Sequence, residues 1–302
     1  MKKTLIDCLS MIIKKTNFYL IGFTYRIKVF VFLLSFIAIS CTHTPDIVVQ
    51  NLKMQVVNGS SSFSEELLNG EITDTKIEHF AYVGPTKQTI TLSKEYVNMY
   101  VFIKGNGILH ADTLSFDIVP ESIAIPTSFN NINIDIAKGD TLHYISFTKK
   151  ITVEDYEDLA SYQQENKHTI FFTKFSDCES YTEKIKSPKT ISRTVLPQDI
   201  IPRVALGTVE TAGPDEVGAH KHPMLDQLFL GLTNNDIVVY ADGKSVEFGE
   251  YSLLHIPIGA SHWVTVGEEK TLYYMWMDFF IDREGQEWLK THKPIPTDKK
   301  DY

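Results

Sequence analysis

The chain repeats itself at a spacing of about 130 residues, which limits it to architectures built from two like halves. Thr141-Leu-His-Tyr-Ile145 lies 130 residues before Thr271-Leu-Tyr-Tyr-Met275, and Ile125-Pro126 lies 131 before Ile256-Pro257. Residues 100–106 parallel residues 229–235 at an offset of 129. A drift of one or two residues is what insertions in loops produce. Within each half, short runs of β-branched and aromatic residues end in turn signals, as in Tyr100-Val-Phe-Ile before Gly105-Asn-Gly107 and Ile237-Val-Val-Tyr before Asp242-Gly243. Helical periodicity is scarce, confined to residues 154–166 between the halves and 284–290 near the end. The pattern predicts an all-β protein of two barrels or sandwiches in tandem.

At 302 residues and 43% hydrophobic, the chain has enough apolar surface for two moderate cores. A formal charge of −9 with no basic cluster argues against a nucleic-acid groove, which needs a basic face to displace counterions.

Residues 1–41 are a different material from the rest. Arg26 and Lys28 precede an apolar run over residues 29–39 that reads as an export signal, too short for a membrane span. Its ending, Ala38-Ile-Ser-Cys41, resembles a bacterial lipobox. This implies lipidation of Cys41 and an exported lipoprotein, held to the membrane by its N-terminal lipid alone on the periplasmic or cell-surface side. A soluble exported protein, an uncleaved anchor and an internal start at Met11 are the alternatives. Residues 42–75, polar and punctuated by Asn58-Gly-Ser-Ser-Ser62, read as a tether with an edge strand or arm. Cys8 goes with the signal and Cys41 with the lipid, so Cys178 has no intramolecular partner and reads as a small buried residue.

Chemistry concentrates in the second half. His220-Lys-His222 is followed by Gln227, and His262 arrives in Pro257-Ile-Gly259-Ala-Ser-His262. Two histidines two apart on an extended segment project to one face, so they can grip one ion together. With a third imidazole and the Gln227 amide oxygen they make a donor set for a divalent transition metal (Fe, Mn, Ni or Zn), leaving positions open for water or substrate.

At these residues the sequence resembles the cupin superfamily of small β-barrels, whose first motif is G-x5-H-x-H-x(3,4)-E-x6-G and second G-x5-P-x-G-x2-H-x3-N. Gly213 is separated from His220 by six residues, Gln227 takes the glutamate place and Asn234 the place of the turn glycine. In the second motif Gly249 is separated from Pro257 by seven residues, Pro257, Gly259 and His262 are in place, and Val266 stands where asparagine is usual. A neutral amide at 227 leaves the metal's charge uncancelled. Asp226 is a competing ligand at the shorter spacing. Gln227 is preferred because counting from it keeps residues 228–232 and the Asn234-Asn235 turn in register. The resemblance, over roughly residues 76–282, implies a bicupin with a first barrel at 76–185, a metal-binding barrel at 186–282 and a tail at 283–302. At the repeat offset, Thr91, Ser93, Asn98 and Asn131 take the ligand positions of the first barrel. That is a poor metal set, so this barrel reads as structural, an oligomerisation surface included.

The last strand carries two alternating sets, Tyr273, Met275, Met277 and Tyr274, Trp276, Asp278; alternation alone does not say which faces the cavity. If it is the second, Asp278 or Tyr274 can transfer protons beside the metal, with Asp226 and Glu210 as other candidate bases. Trp263, next to a ligand, is expected to pack outside, and His255 has the parity to reach the rim. His79, His110, His143 and His168 show no ligand spacing. The resemblance implies chemistry ranging from isomerisation to oxygenation and sensing. The expected function is a metal-dependent enzyme using Lewis-acid chemistry on a small oxygenated substrate, either carbohydrate-derived or a keto acid. The alternatives are an Fe(II) dioxygenase and a non-catalytic ligand-binding module. No nucleophile elbow, phosphate-binding loop or dinucleotide fingerprint is present in the sequence.

Overall fold

The structure, a computed structural model, describes residues 47–56, 59–166, 170–197, 200–289 and 295–296. Residues 1–46, Cys41 among them, and His168 lie outside the described residues. Two strands, β1 (Val48–Asn51) and β2 (Ser62–Leu67), precede the first eight-strand unit. That unit comprises β3 (Thr75–Val83), β4 (Thr86–Thr91), β5 (Tyr96–Lys104), β6 (Gly107–Ala111), β7 (Leu114–Ile118), β8 (Ser122–Pro126), β9 (Asn131–Ile136) and β10 (Thr141–Lys150). Helix α1 (Val153–Asn166) and strands β11 (Ile170–Lys174), β12 (Ser180–Thr182) and β13 (Ile191–Leu196) lead to the second. It comprises β14 (Val204–Ala212), β15 (Asp215–His220), β16 (Leu225–Gly231), β17 (Asp236–Ala241), β18 (Lys244–Gly249), β19 (Ser252–Ile256), β20 (His262–Val266) and β21 (Thr271–Phe280). Helix α2 (Arg283–Leu289) and strand β22 (Ile295–Pro296) follow.

Each unit closes a large sheet over a small one. The large sheets run β11-β8-β5-β10-β3-β2 and β1-β19-β16-β21-β14-β13-β12-β22; the small ones run β4-β9-β6-β7 and β15-β20-β17-β18. Strand for strand the two orders coincide, with β12 and β22 extending the second large sheet, so the chain is all-β, two antiparallel jelly-roll barrels in tandem. The same duplication places a Gly-Pro cis bond in the first hairpin of each barrel, at residues 84–85 and 213–214.

The hydrophobic pattern separates the two kinds of sheet. β5, β8, β16 and β19 are buried on both faces, because one face lines a barrel and the other packs on the opposite barrel. They therefore read as continuous apolar runs. Strands of the small sheets, such as β4 and β17, alternate, since one face meets water. Met99, Val101, Ile103, Ile145 and Phe147 meet Leu228, Leu230, Leu253, Met275, Met277 and Phe279 in one apolar cluster between the barrels. The Phe147 and Phe279 rings lie 6.4 Å apart. The interiors hold separate clusters, around Tyr100, Phe102 and Tyr144 in the first barrel and around Phe229, Leu254 and Tyr274 in the second.

The lead-in segments exchange partners. β1 precedes the first barrel but pairs with β19 of the second, Val48 opposite His255, while β11 precedes the second barrel and pairs with β8 of the first, Ile170 opposite Pro126. β2 and β13 then pair with the first strand of their own barrels, β3 and β14. The segment expected to be a tether is thus partly a strand of the distant barrel. Helix α1 opens with a capping box, in which the Asp155 N–H donates to Thr152 Oγ1 (3.3 Å) and the Thr152 N–H to Asp155 Oδ2 (2.8 Å). Arg203 clamps the Asp155 carboxylate with two bonds of 2.7 and 2.6 Å, fixing the helix to the start of the second barrel.

Packing forces a glycine at position 207. Gly207 lies opposite Trp276 in the β14/β21 pairing, and a Cβ there would sit 2.3 Å from Trp276 Cζ2 and 2.6 Å from the Arg193 carbonyl oxygen. Gly207→Ala is expected to lower stability by about 1–3 kcal/mol, read as a shift in the urea midpoint. An unchanged midpoint would mean that the indole moves aside without cost.

Candidate metal centre

The three histidines converge because of how two strands and one turn are built. His220 ends β15 and His262 begins β20, and the two are directly opposite in the pairing, with a bulge between Val217 and His220. Their ring centroids are 4.2 Å apart. His222 lies two residues past the strand end, its ring 4.9 Å from His220 and 5.4 Å from His262. The Pro-x-Gly turn holds that arrangement. Gly259 has φ of +75°, open to glycine without penalty, and its N–H donates to the His222 carbonyl (3.1 Å). One nitrogen from each ring lies within 4.8 Å of the others, the one such cluster of ligating side chains among the described residues.

Hydrogen bonds orient the rings for ligation. His220 Nδ1 donates to the Gly218 carbonyl (2.8 Å) and His262 Nδ1 to the Ala260 carbonyl (3.2 Å), which leaves each Nε2 as the lone-pair nitrogen. His262 is 1% exposed, and its Nε2 is buried with no hydrogen-bond partner. Burial, with the neighbouring His220 adding to it, pushes the His262 pKa down to about 3, so the ring is neutral, as a metal ligand must be.

Gln227 shares its face of β16 with Phe229, a member of the barrel's interior cluster. It is directly opposite Asp278 on β21, and its Nε2 donates to Asp278 Oδ1 at 2.7 Å. Toward the ionised Asp278, which can only accept, the amide turns its nitrogen. Gln227 Oε1 is buried and bare. An orphaned amide oxygen and an orphaned imidazole nitrogen in one barrel interior are what a metal would satisfy, and the neutral N3O donor set suits a transition metal. Asp226 points the other way, accepting from His255 Nε2 (3.1 Å), while His255 Nδ1 meets Glu71 Oε2 (2.8 Å). His255 is therefore held between carboxylates and does not reach the rim. Glu210 is tied to Arg193 (2.6 Å) and is not part of the cluster.

On β21 the set Tyr274, Trp276, Asp278 faces the interior, while Met275 and Met277 pack between the barrels. The Tyr274 ring is 4.5 Å from Phe229, which in turn is 6.1 Å from His262. Burial pushes the Asp278 pKa up to about 7; the Gln227 bond opposes this and the charge of Glu183 adds to it. Burial raises the Tyr274 phenol well above its usual range, so it stays protonated. Trp263 alternates outward and stacks on Tyr240 at 4.7 Å. Cys178 is half-buried, its thiol donating to the Lys174 carbonyl (3.4 Å), and burial raises its pKa, a structural setting.

Three groups at the site escape sequence reasoning. Tyr181, Glu183 and Lys186 come from the polar connection between the barrels, where no periodicity or motif marks them. Lys186 is 5% exposed at its side chain and ion-pairs with Glu183 at 2.5 Å. Its ammonium donates to Ser192 Oγ (2.8 Å) and lies 5.6 Å from the Tyr181 ring centre.

In the first barrel, Thr91 faces Asn131 as His220 faces His262, and Thr148 Oγ1 donates to Asn98 Oδ1 (3.2 Å) where Asp278 meets Gln227. The polar pair persists there without imidazoles.

No family model matches the chain, and no curated protein matches it. Solved structures do. A cupin 2 conserved barrel domain protein from Leptotrichia buccalis aligns at 16% identity over 78% of this chain and 98% of its own, with a TM-score of 0.52. An oxalate decarboxylase from Lactobacillus farciminis, in a formate complex, aligns at 11% identity over 83% and 92%, with a TM-score of 0.57. A glyoxylate-induced protein from Pseudomonas aeruginosa aligns at 10% identity over 72% and 80%, with a TM-score of 0.60. The architecture is that of the cupin fold, and at these identities the likeness speaks for the fold alone.

Proposed function

We propose that the second barrel holds one divalent transition metal on His220, His222, His262 and Gln227, and that the loaded protein is an enzyme for a small oxygenated substrate, a keto acid or sugar derivative. The observations that carry this reading are the cluster of three imidazoles and, in the same barrel, the Gln227–Asp278 pair, which occupies the amide nitrogen and leaves its buried oxygen bare. When bound, the metal supplies Lewis acidity toward a carbonyl or hydroxyl oxygen. Asp278, 4% exposed on the same wall, is the group placed to accept or return a proton, and Tyr274 with Phe229 forms an apolar floor that excludes water. Two similar structures bear names referring to small carboxylates and their relatives, oxalate with formate and glyoxylate, which agrees with the substrate class proposed here. We further propose that the protein is exported and anchored through lipid on Cys41, a reading that rests on the leader sequence.

The test is elemental analysis of protein produced from about Thr42 onward, followed by a turnover screen against keto acids and sugar acids. About one equivalent of metal per chain is expected. Its absence after reconstitution would overturn the metal reading, and ligand binding without turnover would make the barrel a binding module. Asp278→Asn keeps an acceptor for Gln227 but cannot take a proton. Turnover should fall about a hundredfold or more at unchanged metal content. Undiminished turnover would remove Asp278 from the chemistry.

A further inference from the structure

The segment joining β12 to β13 passes beside the metal strand. The Gly218 N–H donates to the Ile185 carbonyl (2.8 Å) and Lys186 bridges Val217, so the strap adds to the edge of β15 two residues before His220. Gly218 eases the approach, since a Cβ there would make a tight 3.3 Å contact with the Ile185 oxygen. Val217 belongs to the interior cluster, and cross-strand partners project to one side, so Lys186 is carried inward. Its bond to Ser192, itself fully buried and opposite Val209 of the interior cluster, fixes it there. Asp278 senses the charges of both Lys186 and Glu183, which places the pair beside the proposed chemistry.

The two ends of this ion pair differ. The Lys186 side chain is 5% exposed, whereas Glu183 is 32% exposed and sits in the same turn, the Lys186 N–H donating to the Glu183 carbonyl (3.1 Å). Glu183 can therefore swing its carboxylate into water by side-chain rotation alone. Lys186 cannot leave, and a buried ammonium without an anion is costly. An ammonium has three donors, of which Glu183 and Ser192 take two. The proposed metal ligands are all neutral, so the anion of the site must come from elsewhere.

We infer that Lys186 receives the carboxylate of an anionic oxygenated substrate, and that Glu183 occupies that position in the free protein as a displaceable stand-in. This rests on the metal reading above and narrows its substrate class to acids. An uncharged sugar offers nothing to displace Glu183.

The test is calorimetric binding of pyruvate, malonate and the uncharged hydroxyacetone to metal-loaded protein, with metal content measured for every variant. Lys186→Met, close in shape, is expected to weaken binding of the acids roughly ten- to hundredfold, the loss of a charge-assisted bond, and to leave hydroxyacetone unaffected. Lys186→Arg should restore part of it. Glu183→Gln removes the competitor and is expected to tighten acid binding several-fold. Unchanged acid binding in Lys186→Met at full metal content overturns the inference and leaves the metal reading intact. So does a Glu183→Gln that weakens binding as much as Lys186→Met, because the pair would then be a structural unit. Loaded wild-type protein that binds neither acid at millimolar concentration also overturns it. Absence of metal in the wild type would instead sink the reading beneath it.

Discussion

Alanine at His220 or His262 is expected to take the metal from about one equivalent to below detection while the barrel stays folded. Structural zinc sites bind with about 10–16 kcal/mol, and losing one of four ligands on that scale costs about 3 kcal/mol, roughly a hundredfold in Kd. The fold does not depend on these rings. His262 bonds its own turn through Ala260 and lies 6.1 Å from Phe229 of an apolar interior cluster that holds together without it. The separation is measurable: metal should raise the melting temperature of the wild type by mass action and leave both variants unmoved. Unfolded alanine variants would make the histidines structural. Gln227 adds a sharper case. Glutamate at 227 would stand about 2.7 Å from Asp278 Oδ1, where the Gln227 nitrogen now sits, and two carboxylates that close share a proton. Gln227→Glu alone should therefore gain little affinity, whereas Gln227→Glu with Asp278→Asn should bind metal more tightly than wild type. Unchanged affinity in Gln227→Ala would remove the amide from the site.

The repeat and the split histidine set were legible because both are local patterns that the fold brings together by short hairpins. His220 and His262 are 42 residues apart in sequence but adjacent in a ladder whose turns are marked by glycine and asparagine. Asn234, in the place of the usual glycine, has φ of +63°, a conformation asparagine tolerates better than most residues. Which face of β21 looks inward was not legible, because Tyr274 and Met275 are both apolar enough for either environment and the strand is buried on both sides. The same double burial hid the fate of Asp226, which is engaged by His255 of the neighbouring strand β19.

What sequence reasoning missed comes from contacts between distant segments. The exchange of β1 and β11 between barrels leaves no periodic trace, because any short edge strand looks alike whichever sheet it joins. Lys186 reads as one charge in a polar run, and only the closeness of the strap to Gly218 turns it inward. His79 and His143, without ligand spacing, prove to be bonded to each other across β3 and β10, His79 Nε2 to His143 Nδ1 at 3.2 Å.

That pair should make the protein acid-sensitive. His79 and His143 are 0% and 2% exposed, on the face of β3 and β10 opposite the aromatic interior of the first barrel. Glu65 of β2, itself paired with Lys53, meets His79 Nδ1 at 3.2 Å, and Lys104 of β5 faces His143. Burial, then the charges of His79 and Lys104, push the His143 pKa down to about 4 from 6.5; burial also lowers His79, with Glu65 opposing. Between pH 6.5 and about 4 the unfolded chain therefore binds a proton at His143 that the native state does not. Stability is complete above the unfolded value and is lost as pH falls through that window, by about 3 kcal/mol for His143 alone. Glu65 is held below its usual range, its bonds to Lys53 and His79 outweighing burial, so its own loss falls at lower pH and is separable. Urea midpoints across the window should show the slope in wild type and flatten in His143→Phe by about one proton. Equal slopes in the two proteins would mean that His143 already carries its proton in the native state, and that Glu65 reaches through His79 to stabilise an imidazole–imidazolium pair.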